Sequence, residues 1–596
     1  MTNALAHRGP DAEGFYHDSC ISLGHRRLSI IDLSNAANQP FHDPDGRYVL
    51  LFNGEIYNYQ ELKNQLDHYP FQTSSDTEVL LAAFKEWGVD ALKKLKGMFA
   101  FAVWDKQAET LCLMRDRMGV KPLYYYRDEQ VLMFASEKRS LLASAYISKK
   151  LNRQAVVDFL SFQSTGYPDT MIQGIHALPA GSWLKIDRHH RAQDRYWKLS
   201  DIQPNHDMNP GQVQEKIFEL LNESVSSRMV ADVPLGAFLS GGIDSSAIVA
   251  MMSLLGKDKI NTFTLSFTEK EYDESVYADT IAHRFGTQHQ RHLLKPEDYV
   301  AQVSAALDAM DSPSMDGVNT YVLSSAIRKA GIKVAMTGIG GDELFVGYPG
   351  FMQYKKIMQR KAGFLLSAVG RKLMAGTMRM TQNDRFLRMA DVVDLDSPHI
   401  TELYPALRQV MSDRTISRLT ELQPDHEDWK KILDEEFESV AGLGQFSEFS
   451  IAEYMGYTKQ TLLKDADQMS MAVGLEIREP FFDHALVEFV LSLSDEMKYP
   501  HQPKQLLVDA LDPLLPKAIV DRKKQGFVLP WEYWMKNELN GFCTNAIQEI
   551  AERDFINGPT LKKHWNDFLK GTGSIRWTEL WLFVVLSHWM NKQGIA

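Results

Sequence analysis

Val233-Pro-Leu-Gly-Ala-Phe-Leu-Ser-Gly-Gly-Ile-Asp-Ser-Ser246 reads as a strand, a glycine turn and the start of a helix. The apolar run before Ser240 has the look of a buried parallel strand. Gly241 and Gly242 let a backbone come close to a ligand, and the first free N–H groups of a helix over Ile243 to Leu255 point at an anion. Ser240, Ser245 and Ser246 add hydroxyl donors. Asp244 repels a bare phosphate, so the arrangement implies a bridging cation. No lysine follows the glycines, which separates this loop from the Gly-x-x-x-x-Gly-Lys-Ser/Thr pattern. The plainer reading is a tight turn with a Ser/Asp helix cap.

The bulk numbers bound the chain around that loop. A length of 596 residues predicts two domains. With 24% charged and 44% hydrophobic residues, the composition is that of an ordinary soluble globular protein. A net charge of −12 argues against nucleic acid as the main partner. Cys20, Cys112 and Cys543 form neither a zinc spacing nor a disulfide framework, so a reducing, cytoplasmic setting is expected. Met1 to Gly14 has no apolar core of a signal peptide, and Leu580 to Met590 is too short to span a bilayer.

From Pro234 onward, strands alternate with helices as in a doubly wound parallel sheet. Ile260 to Phe267 is the next strand, Asp273 to Phe285 a helix, and Gly331 to Gly338 a strand and turn. Ligands in such sheets sit beyond the carboxyl ends of the strands. That gathers Ser240 to Ser246, Leu265 and the run Thr337-Gly-Ile-Gly-Gly-Asp-Glu343 around one crevice. The crevice resembles the site of enzymes that cleave ATP to AMP and pyrophosphate, and that resemblance implies Phe238 and Leu265 on the adenine and ribose side, with Ser240, Gly241, Gly242, Ser245, Ser246, Thr337 and Gly338 around ATP. Asp244 and Asp342 are placed to hold Mg²⁺; capping a helix is the plainer role for Asp342.

Residues 1 to about 190 read differently, as short strands and turns with a few helices. Ser22 to Asp32, Tyr48 to Phe52, Met98 to Trp104 and Thr110 to Arg115 are strand-like. Ser75-Asp-Thr-Glu78 before Val79 to Trp87 predicts a helix opening with a capping box. Polar clusters stand at the strand ends: His7 to Asp11, Gly24 to Ile30, Phe52-Asn-Gly-Glu55 to Asn58, and Arg115 to Gly119. Singly, each has a plain reading as a hairpin turn, a dipole partner or a surface ion pair.

Together these clusters resemble the glutaminase domain of class II glutamine amidotransferases, N-terminal-nucleophile folds with two sheets between helical layers. The resemblance implies that Arg27 holds the glutamine carboxylate, Asp76 its amino group, and that Glu55 frames the ligand. Asn53 and the Gly54 N–H would form an oxyanion hole. The family nucleophile is an N-terminal cysteine, whereas this sequence begins Met1-Thr-Asn-Ala4. The expectation is a sandwich lacking its first strand, with Met1 an internal residue of a longer protein. As written, it has a glutamine pocket and no glutaminase nucleophile. Cys20 is read as a small core residue.

The loop at Ser240 resembles that of enzymes cleaving ATP to AMP and pyrophosphate. With Gly341-Asp-Glu-Leu-Phe345, Asp467, Glu476-Ile-Arg-Glu-Pro-Phe-Phe-Asp483, Lys504 and Arg522-Lys-Lys-Gln-Gly-Phe527 added, nearly the whole chain is similar to the asparagine synthetase family. The domains implied are a glutaminase-like domain at 1–190, a linker at 191–212 and an adenine-nucleotide α-hydrolase-like synthetase domain at 213–596. The chemistry implied is adenylation of a carboxylate, most readily aspartate, with pyrophosphate release. Ammonia then gives an amide and AMP. Asp244, Glu343 and Lys524 would be catalytic, Lys524 as a point charge beside the leaving group. ATP, Mg²⁺, the acceptor and glutamine or ammonia are the ligands implied, and a homodimer is compatible.

One departure bears on the acceptor. Where the family usually has a glutamate before the Asp-Glu pair, this sequence has Ile339, which leaves Glu343 or Asp316 to assist ammonia or points to another acceptor. The run Asp311 to Tyr321 also looks like synthetase-like amidotransferases of bacterial polysaccharide pathways, so a sugar uronic acid is an alternative. A non-catalytic glutamine-binding relative is the rival from another class. The basic stretch from Lys355 to Arg379 reads as a solvated helix face or an amphipathic surface for a membrane or acidic partner.

Overall fold

The structure is a computed structural model. It describes all residues except 206, 257–258, 268–272, 296–297, 360–367, 381–383, 396, 441, 523–529, 574 and 596, and all their side chains except 368, 384, 385 and 388. In the first half, strands β1 (Ala12–His17), β2 (Ser22–Arg27), β3 (Phe41–His42), β4 (Tyr48–Ile56), β5 (Gly97–Asp105) and β6 (Thr110–Arg115) come in order. β7 (Tyr124–Arg127), β8 (Leu132–Ala135), β9 (Ile175–Ala177), β10 (Ser182–Ile186) and β11 (Arg191–Arg195) follow. The main sheet runs β11-β10-β6-β5-β4-β3, and its pairs are antiparallel.

Alternation along β5 explains why this sheet is buried on both faces. Phe99, Phe101 and Val103 point to a core shared with Val79, Leu80 and Leu81 of the helix Asp76–Trp87. Ala100, Ala102 and Trp104 point the other way, to a core shared with Leu23 of β2 and Leu123 and Tyr125 around β7. Each large apolar side chain so buried contributes about 2 kcal/mol. Helix, sheet and sheet therefore stack in layers. The second sheet layer is in two parts, β1-β2 and β8-β7-β9, and β2 and β8 both line the cavity between them.

The second half is built on a parallel sheet of β12 (Leu235–Phe238), β13 (Asn261–Phe267), β14 (Gln288–Leu294), β15 (Val334–Met336) and β16 (Glu476–Arg478), in the order β14-β13-β12-β15-β16. The chain leaves β12 toward β13 and β14, then returns to the other side for β15 and β16. The strand order thus reverses between β12 and β15, and crevices form at such reversals. β12 ends into the loop at Ser240 and β15 into the loop at Thr337. The expected helix before β14 starts at Ser275 and ends at Phe285.

Segment 191–212, expected as a linker, carries β11 on the main sheet. Leu199 and Ile202 within it are buried in the second half's core. Asn209 then caps the helix Pro210–Arg228 with a capping box. Buried ion pairs join the halves. Arg8 donates to both carboxylate oxygens of Asp467 (2.7 and 3.0 Å) and to Glu137 (3.1 Å). Lys121 lies 3.6 Å from Asp467 and 3.7 Å from Glu476.

Two further readings meet the structure here. Cys20 is not in the core: it is exposed in the turn between β1 and β2, where its N–H donates to Asp18 at 2.7 Å. That turn is polar, and Cys112 and Cys543 are the buried thiols. Of the basic stretch, Lys355 and Lys356 lie in the helix Pro349–Gln359, and Arg371, Lys372 and Arg379 in the helix Ala368–Arg379. Arg379 pairs with Asp391 (3.1 Å) and Asp394 (2.8 Å). Among the described residues, no helix is long and apolar enough to cross a membrane.

Candidate functional site

The crevice at the strand reversal is assembled by contact between two loops. Ser240 N donates to Ser245 Oγ at 3.2 Å, and Gly242 N to Ser240 Oγ at 3.3 Å, which rounds the first loop onto its helix. Gly241 has φ +71° and packs so closely on Tyr277 that a Cβ would lie 2.5 Å from that side chain. Across the crevice, a Cβ at Gly338 would lie 2.6 Å from Ser245 N, and one at Gly341 would lie 2.4 Å from Asp244 Oδ1. Two positions without side chains therefore let the Thr337 loop press against the Ser240 loop.

Charge is concentrated where the loops meet. Lys504 forms ion pairs with Asp244 and, at 2.6 Å, with Asp342. Burial opposes its charge, but the two carboxylates outweigh that and raise its pKa. Behind Asp342, Glu343 is buried and accepts from Tyr348 Oη at 2.8 Å. Burial, with Asp342 beside it, pushes Glu343 up to about 7. Ile339 packs on the apolar core. Asp316 accepts from Tyr457 Oη at 3.0 Å, and burial raises its pKa.

Not every expected ATP residue faces this crevice. Thr337 sits at the end of β15, its N–H bound to Arg478 O at 3.1 Å. Phe238 is half-buried at the end of β12, whereas Leu265 and Ser246 are buried in the packing beneath. Lys524 lies outside the described residues.

The second constellation lines a cavity of about 700 Å³ in the first half, where Arg27, Asn53, Gly54, Glu55 and Asp76 are brought together. Gly54 has φ +142°, and a Cβ there would lie 2.0 Å from Met98 O, so only glycine lets β4 hug β5 at this point. Among the described residues, Asn53 Nδ2 and Glu55 Oε2 are buried without hydrogen-bond partners. Asp76 opens its helix and accepts from Ile56 N at 3.0 Å. Burial, with Glu476 nearby, outweighs that bond and pushes Asp76 up to about 6. Arg27 lines the cavity, but its Nη groups donate to Ser34 O, Asn38 Oδ1, Ile31 O and Asp32 O at 2.5 to 3.1 Å. The capping box is half formed: Ser75 Oγ accepts from Glu78 N, while Glu78 turns to the N–H groups of Gln72 and Thr73.

A family described as Asparagine synthase matches residues 216–591, and one described as Glutamine amidotransferase domain matches residues 1–197. The chain belongs to the asparagine synthase family. It is 30% identical over 562 residues to asparagine synthetase [glutamine-hydrolyzing] 1 of Bacillus subtilis, covering 94% of this chain and 87% of that one. To the putative asparagine synthetase [glutamine-hydrolyzing] 2 of Methanocaldococcus jannaschii it is 36% identical over 399 residues, 63% of this chain and 76% of that one. Amidase chyE of Penicillium rubens is 30% identical over 621 residues, covering 92% and 89%.

In this asparagine synthase-family chain, sequence reasoning missed three groups that shape the sites. Lys504 clamps Asp244 and Asp342 from a loop far along the chain. Arg522 lies over the ring of Tyr277 (4.4 Å), pairs with Glu274 (2.9 Å) and stands beside Gly242. Arg478 reaches Glu55 of the first cavity at 3.2 Å and Glu476 at 2.9 Å. All three stood inside quoted motifs, but spacing carries no signal for partners so distant in sequence.

Proposed function

We propose that this protein is an AMP-forming amide ligase that makes asparagine from aspartate, ATP and ammonia, the ammonia coming from glutamine where the family's N-terminal cysteine is present to release it. The observation that supports the reading best is the meeting of the Ser240 and Thr337 loops at the strand reversal, with two carboxylates and one lysine between them. ATP lies across that crevice, its phosphates against the N–H groups of Gly241 to Ile243 and the hydroxyls of Ser240 and Ser245. Asp244 and Asp342 converge on Lys504, and these two carboxylates would hold a Mg²⁺. Lys504 holds both in the absence of ligand, so Mg²⁺ would share them or displace it. When bound, Mg²⁺ supplies charge to the departing pyrophosphate. Lys524 would do the same from the segment after Arg522.

The chain's own residues carry the rest. The aspartate β-carboxylate attacks the α-phosphorus, and its oxygen replaces pyrophosphate there. Ammonia attacks the acyl carbon, AMP leaves with the electron pair of the C–O bond, and the nitrogen must lose a proton. Glu343, near 7 and bound to Tyr348 Oη, is suited to receive that proton, a task its neighbour Ile339 cannot perform. In the first cavity, Asn53 Nδ2 and Gly54 N would face the glutamine amide oxygen, and ionised Asp76 its ammonium group. A cytoplasmic setting suits two buried free thiols.

The test measures pyrophosphate release from MgATP and aspartate, with ammonium and glutamine as donors side by side. Pyrophosphate, AMP and asparagine in equal amounts are expected. No release with aspartate under either donor overturns the acceptor assignment.

A further inference from the structure

Between the two halves lies a second cavity of about 360 Å³, which shares Arg8 and Ser136 with the wall of the first and is otherwise lined by different residues. The first half contributes Arg115, Tyr167 and Arg195. The second contributes Lys459, from the π-helical turn Tyr454–Leu462, and Lys464 just beyond it. Arg115 spends its donors on the neutral carbonyls of Lys121, Leu178 and Gly119, at 2.7 to 2.8 Å. Arg195 Nη1 pairs with buried Glu436 at 2.8 Å. Lys459 Nζ has Met455 Sδ at 3.4 Å and, among the described residues, no carboxylate in ion-pair range. At this end Arg115, Arg195 and Lys459 have, among the described residues, the single ion-paired carboxylate Glu436, while Glu137, Asp467 and Asp311 elsewhere in the wall pair with Arg8 and Lys138.

Two donors at the same end are unused. Tyr167 Oη and Arg195 Nε are buried and, among the described residues, have no hydrogen-bond partner. An unmatched buried donor costs roughly 1–3 kcal/mol, so such groups call for a reason. Desolvation also pushes both Lys459 and Lys464 down to about 8, outweighing the nearby Glu436 for Lys459 and Asp465 for Lys464. At the rim the exposed Asp428, Lys431 and Glu435 carry both signs, so the positive character belongs to the interior.

We propose that this cavity binds a small molecule through a compact oxyanion, phosphate or carboxylate, held by Lys459, Arg195 and Tyr167. The volume suits a metabolite-sized ligand. The placement gives it leverage. Lys459 shares its π-helical turn with Tyr457, which donates to Asp316 and lies under Arg408, whose guanidinium also covers Tyr348. An anion there ties first-half residues to the turn that borders the synthetase site. The inference stands apart from the identity of the acceptor.

The experiment is calorimetric titration of the full chain at constant ionic strength. A non-hydrolysable ATP analogue is present throughout to occupy the nucleotide loop. Inorganic phosphate and succinate are the two probes. One saturable site for at least one probe is expected, and which probe binds tells phosphate from carboxylate. Lys459→Met should weaken it about tenfold or more and Tyr167→Phe about threefold, while Lys459→Arg retains it. In parallel, acetylation of Lys459 by acetic anhydride, read by peptide mass mapping, should slow when the bound probe is present. No saturable binding of either probe, or equal affinity in Lys459→Met, overturns the proposal.

Discussion

In the crevice between the Ser240 and Thr337 loops the charged groups close on one another: Lys504 stands between Asp244 and Asp342, and the glycines at 338 and 341 bring the two loops into contact. In the first cavity the polar groups stay apart. Among the described residues Asn53 Nδ2 and Glu55 Oε2 are buried with no partner, and burial lifts Asp76 to about 6. One site is preassembled around an internal cation, and a ligand must compete for its carboxylates. The other holds unmatched groups that a ligand satisfies. Binding at the first should therefore respond to substitutions in the charge cluster, and binding at the second to pH and to single donors.

The largest effect that tests this contrast is expected from Asp244→Ala. It removes one carboxylate at the leaving group and leaves Lys504 half-paired, so pyrophosphate release should fall about a thousandfold. Glutamine affinity, measured by calorimetry, should stay unchanged. A variant that still releases pyrophosphate at near-parent rates would sink the crevice assignment. Next comes Asp76→Asn, which should weaken glutamine binding roughly thirtyfold while ammonium-dependent asparagine formation holds. Equal losses with both nitrogen donors would show that the two sites do not divide the work as described.

The pH response is smaller and separates the sites by direction. Asp76 must be ionised to hold an ammonium group, and its carboxyl lies near 6. Glutamine affinity should therefore drop about tenfold between pH 7 and pH 5. Stability moves the opposite way. The folded value lies above the unfolded one, so this group's stabilising share is present at low pH and lost as pH rises through about 6. Asp76→Asn should accordingly gain thermal stability relative to the parent, on the order of 2 kcal/mol, between about pH 4 and pH 7. A flat difference in melting temperature across that range would contradict the buried-carboxyl picture. The smallest effect is expected from Ser75→Ala, which removes a helix cap worth about 1 kcal/mol and should lower the melting temperature without altering either site's affinity.

Much of this arrangement was legible in the sequence because it is local. Strand, glycine turn and helix start lie within Val233 to Leu255, and β5, β6 and the helix after Ser75 announce themselves by period and cap. That Arg27, Asn53, Gly54, Glu55 and Asp76 line one cavity also followed from motif order, since the ends of neighbouring strands converge. What did not follow depends on distance along the chain. Lys504 joins Asp244 across 260 positions, and Arg8 joins Asp467 across 459. Spacing holds no record of such pairs. Cys20 was misread because a strand pattern was carried past the turn at Asp18, where polar backbone bonding takes over. Arg27 shows a subtler limit: its position in the cavity was legible, but its commitment to four loop acceptors was not.

Arg478 carries a consequence for how this molecule can be handled and inherited. Its carbonyl anchors the Thr337 loop, its guanidinium grips Glu55 in the other half, and Lys121, Glu476, Arg8 and Asp467 continue the seam. Parting the halves would strand these charges, at about 3–5 kcal/mol for each broken buried pair. Neither half should therefore survive as a soluble fragment. A recombination that exchanges one of them for a distant counterpart should fail unless it carries the matching charges across. The glutaminase half is thus no interchangeable cartridge on a synthetase; the two are bound to travel together.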